Sequence, residues 1–179
     1  MHKIDQGLLP ILGEAPAVLI LGSMPSVKSL ESQQYYAHPQ NAFWWIMSEL
    51  FSFDPLEPYE VKVNHLKQKR VAVWDVIKAC HRPGSLDSAI DSTSIQANDF
   101  SMLLSGKTSI KLVIFNGQAA QKIFNKHALS VGKKKHETVS CRINNYAGDF
   151  LLMPSTSPAN AATKRDMKLN QWRALNVYL

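Results

Sequence analysis

The most chemically suggestive part of the chain is a short turn followed by a crowded block of aromatic and polar side chains. The turn reads GSMPS over residues 22–26 and ends an apolar run over residues 18–21. Flat rings, an imidazole and an amide then follow closely, as Tyr35, Tyr36, His38, Asn41, Phe43, Trp44 and Trp45. Because ligands bind at the carboxyl ends of buried parallel strands, this mixture indicates a pocket for a flat ligand with polar edges, such as a base.

Four apolar runs predict the strands that would position this block. They cover residues 17–21, 71–76, 112–115 and 150–153. The segments between them are long enough for crossover helices, which predicts an α/β fold. We expect three layers, α/β/α, with a central four-stranded and mainly parallel sheet, in one domain over residues 1–179.

The spacing of apolar residues predicts the helices of the outer layers. They are expected over residues 42–51, 97–104, 118–126 and 163–178. In the last of these, Met167, Trp172 and Leu175 are predicted to point inward. Residues 64–70 are interpreted as a polar approach to the second strand, and a hairpin is predicted within residues 128–145.

The composition favours a globular protein of the cytoplasm. Hydrophobic residues make up 45% of the chain and charged residues 19%. No segment approaches the roughly 20 apolar residues that a membrane-spanning helix needs, so no membrane partner is expected. Cys80 and Cys141 lack the spacing of a metal site or a disulfide framework. We therefore expect no metal, and the chain shows no cofactor motif such as the phosphate-binding GK[ST] ending.

The basic balance favours a polyanionic partner. The formal net charge is +6 and the isoelectric point is near 9.3, which is typical of nucleic-acid-binding proteins without being proof of one. The cluster at residues 133–136 is either a solvated hairpin tip or a contact surface. A second cluster, better placed for phosphate contacts, comprises Lys164, Arg165, Lys168 and Arg173.

Three motifs together resemble the uracil-DNA glycosylase superfamily. They are GSMPS, YYAHPQNAFWW and PSTSPANA, and the resemblance runs from Leu19 to about Trp172. It is closest to the mismatch-specific members and to the hypoxanthine-DNA (deoxyinosine) glycosylase branch. The resemblance implies a monofunctional DNA-repair enzyme without a cofactor, which flips a deaminated base out of DNA and hydrolyses its N-glycosidic bond. The product would be an abasic site, and the enzyme is expected to act as a monomer.

The resemblance assigns the catalytic role to Asn41, whose amide would orient water. The alternative is that Asn41 caps the helix beginning at Ala42. Tyr36 aligns with the aromatic residue that stacks on the extruded base, and the alternative is loop packing. Met24 and Met153 stand where many relatives carry polar catalytic side chains. These two departures favour the hypoxanthine branch over ordinary uracil excision.

The other predicted site residues lie in the turns and at the strand ends. Asp75 is expected to accept a hydrogen bond from the base or to cap the next segment. Asn116 is expected to be a helix N-cap or to brace its strand end. His38 is expected to contact the substrate or a phosphate, or to be structural. The predicted base-binding residues are Gly22, Ser23, Met24, Pro25, Tyr36, His38, Trp74, Asp75 and Ser155. The predicted DNA-binding residues are Ser26, Ser157, Pro158, Ala159, Asn160, Lys164 and Arg165.

Three other functions stay open from the sequence. One is a glycosylase specific for uracil in G/U mismatches. Another is a module that binds damaged DNA without cutting it. The third is a serine hydrolase that uses Ser23 or Ser26 with His38 and Asp75, although the chain lacks the G-x-S-x-G turn that such a nucleophile commonly occupies.

Overall fold

The computed structural model describes residues 4–101, 103–105, 108–128 and 146–179. In chain order, the strands are β1 Asp5–Gln6, β2 Val18–Gly22, β3 Val71–Asp75, β4 Ile77–Cys80, β5 Gln96–Ala97, β6 Leu112–Asn116 and β7 Asp149–Met153. The helices are α1 Val27–Ser32, α2 Phe43–Phe51, α3 Tyr59–Gln68, α4 Gln118–Ile123 and α5 Arg165–Trp172. A π-helical segment over Phe124–Ala128 extends α4, and 3-10 helices cover Asp87–Ala89 and Arg173–Tyr178.

The central sheet has four parallel strands in the order β3-β2-β6-β7. Val18 of β2 pairs with Val71 on one side and with Leu112 on the other, and Leu112 in turn pairs with Asp149. After β2, the chain adds β3 on one side of that strand and then reverses direction to add β6 and β7 on the other side. This reversal creates a crevice at the carboxyl ends of the strands, which is where α/β proteins bind ligands.

Side chains of β2 alternate between two hydrophobic cores. Val18 and Ile20 pack with residues of α2, α3 and α5, whereas Leu19 and Leu21 pack with residues of α4 and its extension. Every residue of β2 is buried, as expected for a parallel strand covered on both faces. The predicted three-layer α/β fold with a four-stranded parallel sheet is therefore confirmed.

A small antiparallel sheet, absent from the prediction, lies beside the main one. Its strand order is β1-β4-β5. It continues from β3, because Val76 N–H donates to the carbonyl of Gly22 and Ile77 N–H donates to that of Ser23. Two of its three strands, β1 and β5, have only two residues each and leave no periodic pattern to detect. The hydrogen bonds from Val76 and Ile77 fix the turn after β2.

The predicted helix over residues 97–104 is wrong. Residue 97 ends β5, and residues 98–101 and 103–105 are not helical. Phe100 and Leu104 are buried, so the apolar spacing that predicted a helix instead marks two side chains that an irregular segment places in the core. Conversely, residues 64–70 fall largely within α3, where only Val63 and Leu66 are buried. Two buried residues give this helix too weak an apolar periodicity to be predicted from the sequence.

The last helix is confirmed in place but differs in one inward position. Trp172 and Leu175 are fully buried, whereas Met167 is 53% exposed. Lys168 and Leu169 are the buried residues instead. The predicted hairpin within residues 128–145, the basic cluster at 133–136 and Cys141 lie outside the described residues, apart from Ala128, which ends the π-helical segment.

In the described part of the chain, every helix is too short or too polar to cross a bilayer.

Trp172 links α5 to the loop after β7, and its removal should destabilise the whole domain. Its ring meets Phe43 edge-on with centroids 6.4 Å apart, and its Nε1 donates to the carbonyl of Pro154 over 3.1 Å. We expect Trp172→Ala to lower the free energy of unfolding by about 3–5 kcal/mol, measured by urea denaturation. Leu9→Ala is the control, because Leu9 is 88% exposed. Equal losses in both variants would contradict the proposed packing role.

Candidate active site

A cleft opens at the carboxyl ends of β2, β3 and β6. Its volume of about 90 Å³ is below that of pockets for drug-sized ligands, about 300–1,000 Å³, so it suits one small planar group. The predicted residues that line it are Gly22, Ser23, Met24, Pro25, Ser26, Tyr36, Asn41, Asp75, Ser155 and Ser157. The residues that sequence analysis did not assign to it are Ser29, Tyr35, Ser85, Asp87, Asn116 and Thr156.

Gly22 ends β2 without a side chain, and the Asp75 carboxyl group occupies the space beside it. A Cβ added at Gly22 would collide with Asp75 Oδ1 and would lie 3.5 Å from the hydroxyl oxygen of Tyr36. Gly22 is therefore required for close approach, not for a special backbone conformation. It brings a carboxyl group and a phenol together at the floor of the cleft.

Asp75 is a buried acid with an uncommitted oxygen. Its side chain is only 3% exposed, and Oδ2 has no hydrogen-bond partner among the described residues. Burial raises the pKa of Asp75 to about 7, with a further increase from the charge of Asp87 and an opposing effect from Arg82. A large fraction of the carboxyl groups therefore carries a proton at neutral pH, which lets Asp75 donate as well as accept a hydrogen bond.

Arg82 lies behind the turn after β2 and was missed by sequence analysis. It is buried, and its Nη2 donates to the carbonyl of Pro25. Its Nε and Nη1 have no hydrogen-bond partner in the described residues. An isolated arginine after a strand has no distinctive sequence pattern, so only the fold shows that its charge sits near Asp75 and Asp87.

Tyr36 forms the aromatic wall of the cleft. Its ring stacks on that of Phe43 with centroids 3.9 Å apart and an interplanar angle of 22°. Its backbone has φ 55°, a left-handed conformation that costs a non-glycine residue about 1–3 kcal/mol. The stack on the buried Phe43 ring and a hydrogen bond from Asn116 Nδ2, 3.2 Å long, stabilise this conformation. Burial raises the pKa of Tyr36, so its hydroxyl keeps its proton.

Asn116 braces the end of β6, as expected. Its Nδ2 donates to Thr156 Oγ1 over 2.9 Å, and its Oδ1 accepts from Thr156 N–H over 2.8 Å. The carbonyl of Thr156 in turn accepts from Ala42 N–H over 3.0 Å. This network fixes the loop after β7, the start of α2 and the Tyr36 hydroxyl relative to one another.

Asn41 precedes Ala42, the N-cap residue of α2, and faces the cleft. Its Oδ1 accepts from Phe43 N–H over 3.0 Å, so Asn41 caps one backbone donor of the first turn from a position one residue before the N-cap. Asn41 also lines the cleft, where its Nδ2 and the second lone pair of Oδ1 are available. The cap holds the amide in one orientation, which is what a group that positions water requires.

The GSMPS turn is held by its own hydroxyl groups. Ser23 Oγ donates to Asp87 Oδ1 over 2.6 Å, and Ser26 Oγ caps α1 by accepting from Ser29 N–H over 3.2 Å. Met24 packs with the buried side chains of Ile77 and Cys80. It contributes an apolar surface to the turn.

The loop after β7 borders the mouth of the cleft. Ser155 packs against Gly117, which has φ +100° and where a Cβ would lie 2.8 Å from Ser155 Cβ. Pro158 and Ala159 are exposed at the tip. Ala159 and Asn160 line a wider groove of about 650 Å³ that runs past Met153. Ser155, Ser157 and Asp87 line both the groove and the cleft.

Lys168 does not belong to the exposed basic cluster. It is 5% exposed, and its Nζ donates to the carbonyls of Asn160, over 2.9 Å, and Ser157, over 3.5 Å. Desolvation lowers its pKa. Lys168 therefore braces the loop from inside, an orientation that depends on how the helix packs against the core.

Lys164 and Arg165 are exposed at the start of α5, outside the cleft. The Arg165 guanidinium carbon lies 3.9 Å from the centre of the Trp45 ring. This cation–π contact orients the charge on the surface. Both side chains are thus placed to meet an anion next to the loop at 155–160.

His38 and Trp74 are not among the residues that line the cleft. His38 Nδ1 accepts from Gln40 N–H over 3.2 Å and stabilises its own turn. Trp74 meets Phe100 edge-on with centroids 5.2 Å apart. Side chains alternate along a strand, so the placement of Asp75 at the cleft directs its neighbour Trp74 away.

Known proteins that are similar to this chain identify its family. The family model described as "Uracil DNA glycosylase superfamily" matches residues 10–177. A protein of Methanosarcina acetivorans named hypoxanthine DNA glycosylase is 41% identical over 118 residues, which cover 65% of this chain and 73% of that protein. A protein of the same name from Methanosarcina barkeri is 38% identical over 114 residues, covering 63% and 71%.

A solved structure extends the likeness to the whole fold. It is a solution NMR structure of a candidate uracil DNA glycosylase from Methanosarcina acetivorans, with a TM-score of 0.70 and 30% identity. The match covers 97% of this chain and 99% of that one. Sequence, fold and the cleft at the strand ends agree, and the chain belongs to the uracil DNA glycosylase superfamily.

Proposed function

We propose that this protein is a monofunctional DNA glycosylase that hydrolyses the N-glycosidic bond of deoxyinosine in DNA, releasing hypoxanthine and leaving an abasic site. The observation that carries the proposal is the cleft in which Tyr36 offers a stacking ring and Asp75 an uncommitted carboxyl oxygen. The two relatives named hypoxanthine DNA glycosylase support the choice of base. The protein acts as one domain and as a monomer.

Tyr36 stacks on the extruded base. One face of its ring already lies on Phe43. A base on the other face of Tyr36 would therefore complete a stack of three rings. Stacking on an aromatic side chain contributes roughly 1–3 kcal/mol per base. This offsets part of the free energy needed to remove the base from the duplex.

Asp75 recognises the polar edge of the base and assists its departure. Hypoxanthine carries a carbonyl oxygen next to an N–H group, and a protonated carboxyl group can donate to the first and accept from the second. As the bond to the sugar breaks, negative charge accumulates on the base. A proton donor at the floor of the cleft stabilises that charge in a site from which water is largely excluded.

Asn41 orients the attacking water. Cleavage in this superfamily is dissociative, so the sugar gains positive charge before water attacks and no strong base is needed. Phe43 N–H holds one lone pair of Asn41 Oδ1, and the other lone pair accepts from water. The Asn41 amide therefore orients the attacking water by a hydrogen bond, and it stays neutral near neutral pH.

DNA is held by the surface around the cleft. Pro158 and Ala159 form an exposed tip that enters the gap left by the flipped nucleotide. Lys164 and Arg165 contact phosphates, which makes binding dependent on salt. Lys168 keeps the tip in shape through the carbonyls of Ser157 and Asn160.

The function is tested by identifying the base that the protein releases. Duplex and single-stranded oligonucleotides containing deoxyinosine, or uracil opposite guanine, are incubated with the protein, and free bases are measured by mass spectrometry. We expect hypoxanthine to be released faster than uracil. Faster uracil release would favour the mismatch-specific alternative, and binding without any release would favour a non-catalytic module.

The hydrogen bonds of the two candidate nucleophiles do not support a serine hydrolase. Ser23 Oγ donates to Asp87, and Ser26 Oγ donates to Ser29. Within the described residues neither hydroxyl donates to a histidine, which would have to activate it.

Substitutions at Asn41 should separate catalysis from capping. Asn41→Ala removes both roles, whereas Asn41→Ser keeps a capping oxygen on a side chain too short to direct water. We expect both variants to lose about 10²–10³-fold in single-turnover base release. Only the alanine variant should lose about 1 kcal/mol of unfolding free energy. If the serine variant regains full activity, capping is the only role of Asn41.

The protonated form of Asp75 predicts the pH dependence of base release. Its pKa is raised to about 7, so the protonated carboxyl group is present below that pH and is lost as the pH rises through it. The groups acting on it are Asp87, which raises the pKa, and Arg82, which lowers it. Single-turnover rates should fall about 50-fold between about pH 7 and about pH 9.

Asp75→Asn provides the matched variant for this pH dependence. Its amide is neutral at every pH, so the variant should show a lower rate without the fall above neutrality. A wild-type rate that stays constant over the same range would contradict donation by Asp75.

A further inference from the structure

We infer that Asp87, hydrogen-bonded to Ser23, is a second catalytic carboxylate, which faces the deoxyribose and stabilises its developing positive charge while it holds the attacking water with Asn41. This inference rests on the proposed function, and it concerns a residue that the sequence motifs do not contain.

The position of Asp87 places it at the sugar and not at the base. Asp87 lines both the cleft and the groove along the loop after β7. A base that lies on Tyr36 with its edge at Asp75 fills the floor of the cleft, and the DNA backbone must stay outside. The sugar carbon C1′ joins the two, so it lies at the mouth, which Asp87 borders.

Two polar neighbours stabilise the charged form of Asp87 against the effect of burial. Ser23 Oγ donates to Oδ1 over 2.6 Å, a short charge-assisted hydrogen bond. Burial raises the pKa of Asp87, while the Ser23 hydroxyl and the Arg82 guanidinium oppose that increase. The Ser23 hydroxyl contacts Oδ1, so the Oδ2 atom is the oxygen that we assign to the substrate.

Asp75 and Asp87 therefore stand in different environments within one cleft. Asp75 is buried with no donor on Oδ2, whereas Asp87 is exposed at the mouth and bonded to a hydroxyl group. When the environments of two carboxyl groups differ in this way, one group serves as the acid and the other as the ionised partner. Met24 and Met153 offer no polar group, and Asn41 is neutral, so Asp87 supplies the missing negative charge.

The step balances without any further reactant. The bond between C1′ and the base breaks, and its electron pair leaves with the base, which takes a proton from Asp75. Water forms the new C1′–O bond and loses a proton to Asp87. Solvent then carries that proton away and reprotonates Asp75, and Asp87 itself forms no covalent bond.

The experiment compares Asp87 variants in single-turnover release of hypoxanthine from a deoxyinosine duplex. Asp87→Asn should be about 10²–10³-fold slower than wild type, with no loss of DNA affinity, because a negative charge has been removed. Glu49→Gln is the matched control, since it changes the net charge equally at an exposed position of α2. It should stay within about threefold of wild type.

Rescue by a small carboxylate distinguishes catalysis from a structural role. Asp87→Ala leaves room for formate, and added formate should restore its rate at least about tenfold without affecting Glu49→Gln. A loss that formate does not restore would show that Asp87 only shapes the Ser23 turn and would overturn the inference. If both the wild type and Asp87→Asn were fully active, the inference about Asp87 would be overturned while the proposed function would stand. A wild-type protein that releases no hypoxanthine would overturn the proposed function and this inference together.

Discussion

The close approach of Asp75 to Gly22 is the constraint on which the site depends. Parallel pairing places Gly22 directly beside Asp75 at the ends of β2 and β3. Because Gly22 has no side chain, the carboxyl group can lie across the end of β2, next to the Tyr36 hydroxyl. Any larger residue would displace the acid from the floor of the cleft. Burial at this point then shifts the acid toward its protonated form, so a backbone requirement becomes a chemical property.

A second layer of interactions keeps the aromatic wall and the loop in place around that acid. Asn116 is bonded to both the Tyr36 hydroxyl and Thr156, and Thr156 is bonded to Ala42 at the start of α2. These bonds support a left-handed conformation at Tyr36 that would otherwise be unfavourable. Lys168 extends the same support to the exposed tip of the loop. The site is thus preorganised by neutral amides and one buried lysine, and few flexible side chains need ordering when DNA binds.

The two carboxyl groups of the cleft differ in their electrostatic surroundings. Arg82 lies behind the GSMPS turn, where its charge acts on both Asp75 and Asp87. Its Nη2 donates to the Pro25 carbonyl, so Arg82 shapes the turn, and its charge lowers the pKa of both acids. In the proposed mechanism, Asp75 on β3 and Asp87 supply the polar groups that Met24 and Met153 lack.

The sequence alone predicted the sheet, most of the helices and most of the cleft. Runs of apolar residues define buried strands because burial on both faces requires it, and the three motifs carry Gly22, Tyr36, Asn41 and Ser155 as neighbours of those strand ends. Local patterns could not show Asp87 at the cleft or Arg82 behind the turn after β2, because both positions depend on the small antiparallel sheet and the loops beside it. They also misplaced Trp74, Met167 and Lys168, whose orientation depends on strand alternation and helix packing. Strand positions follow from local hydrophobicity, whereas the approach of two carboxyl groups distant in sequence is decided only when the chain folds.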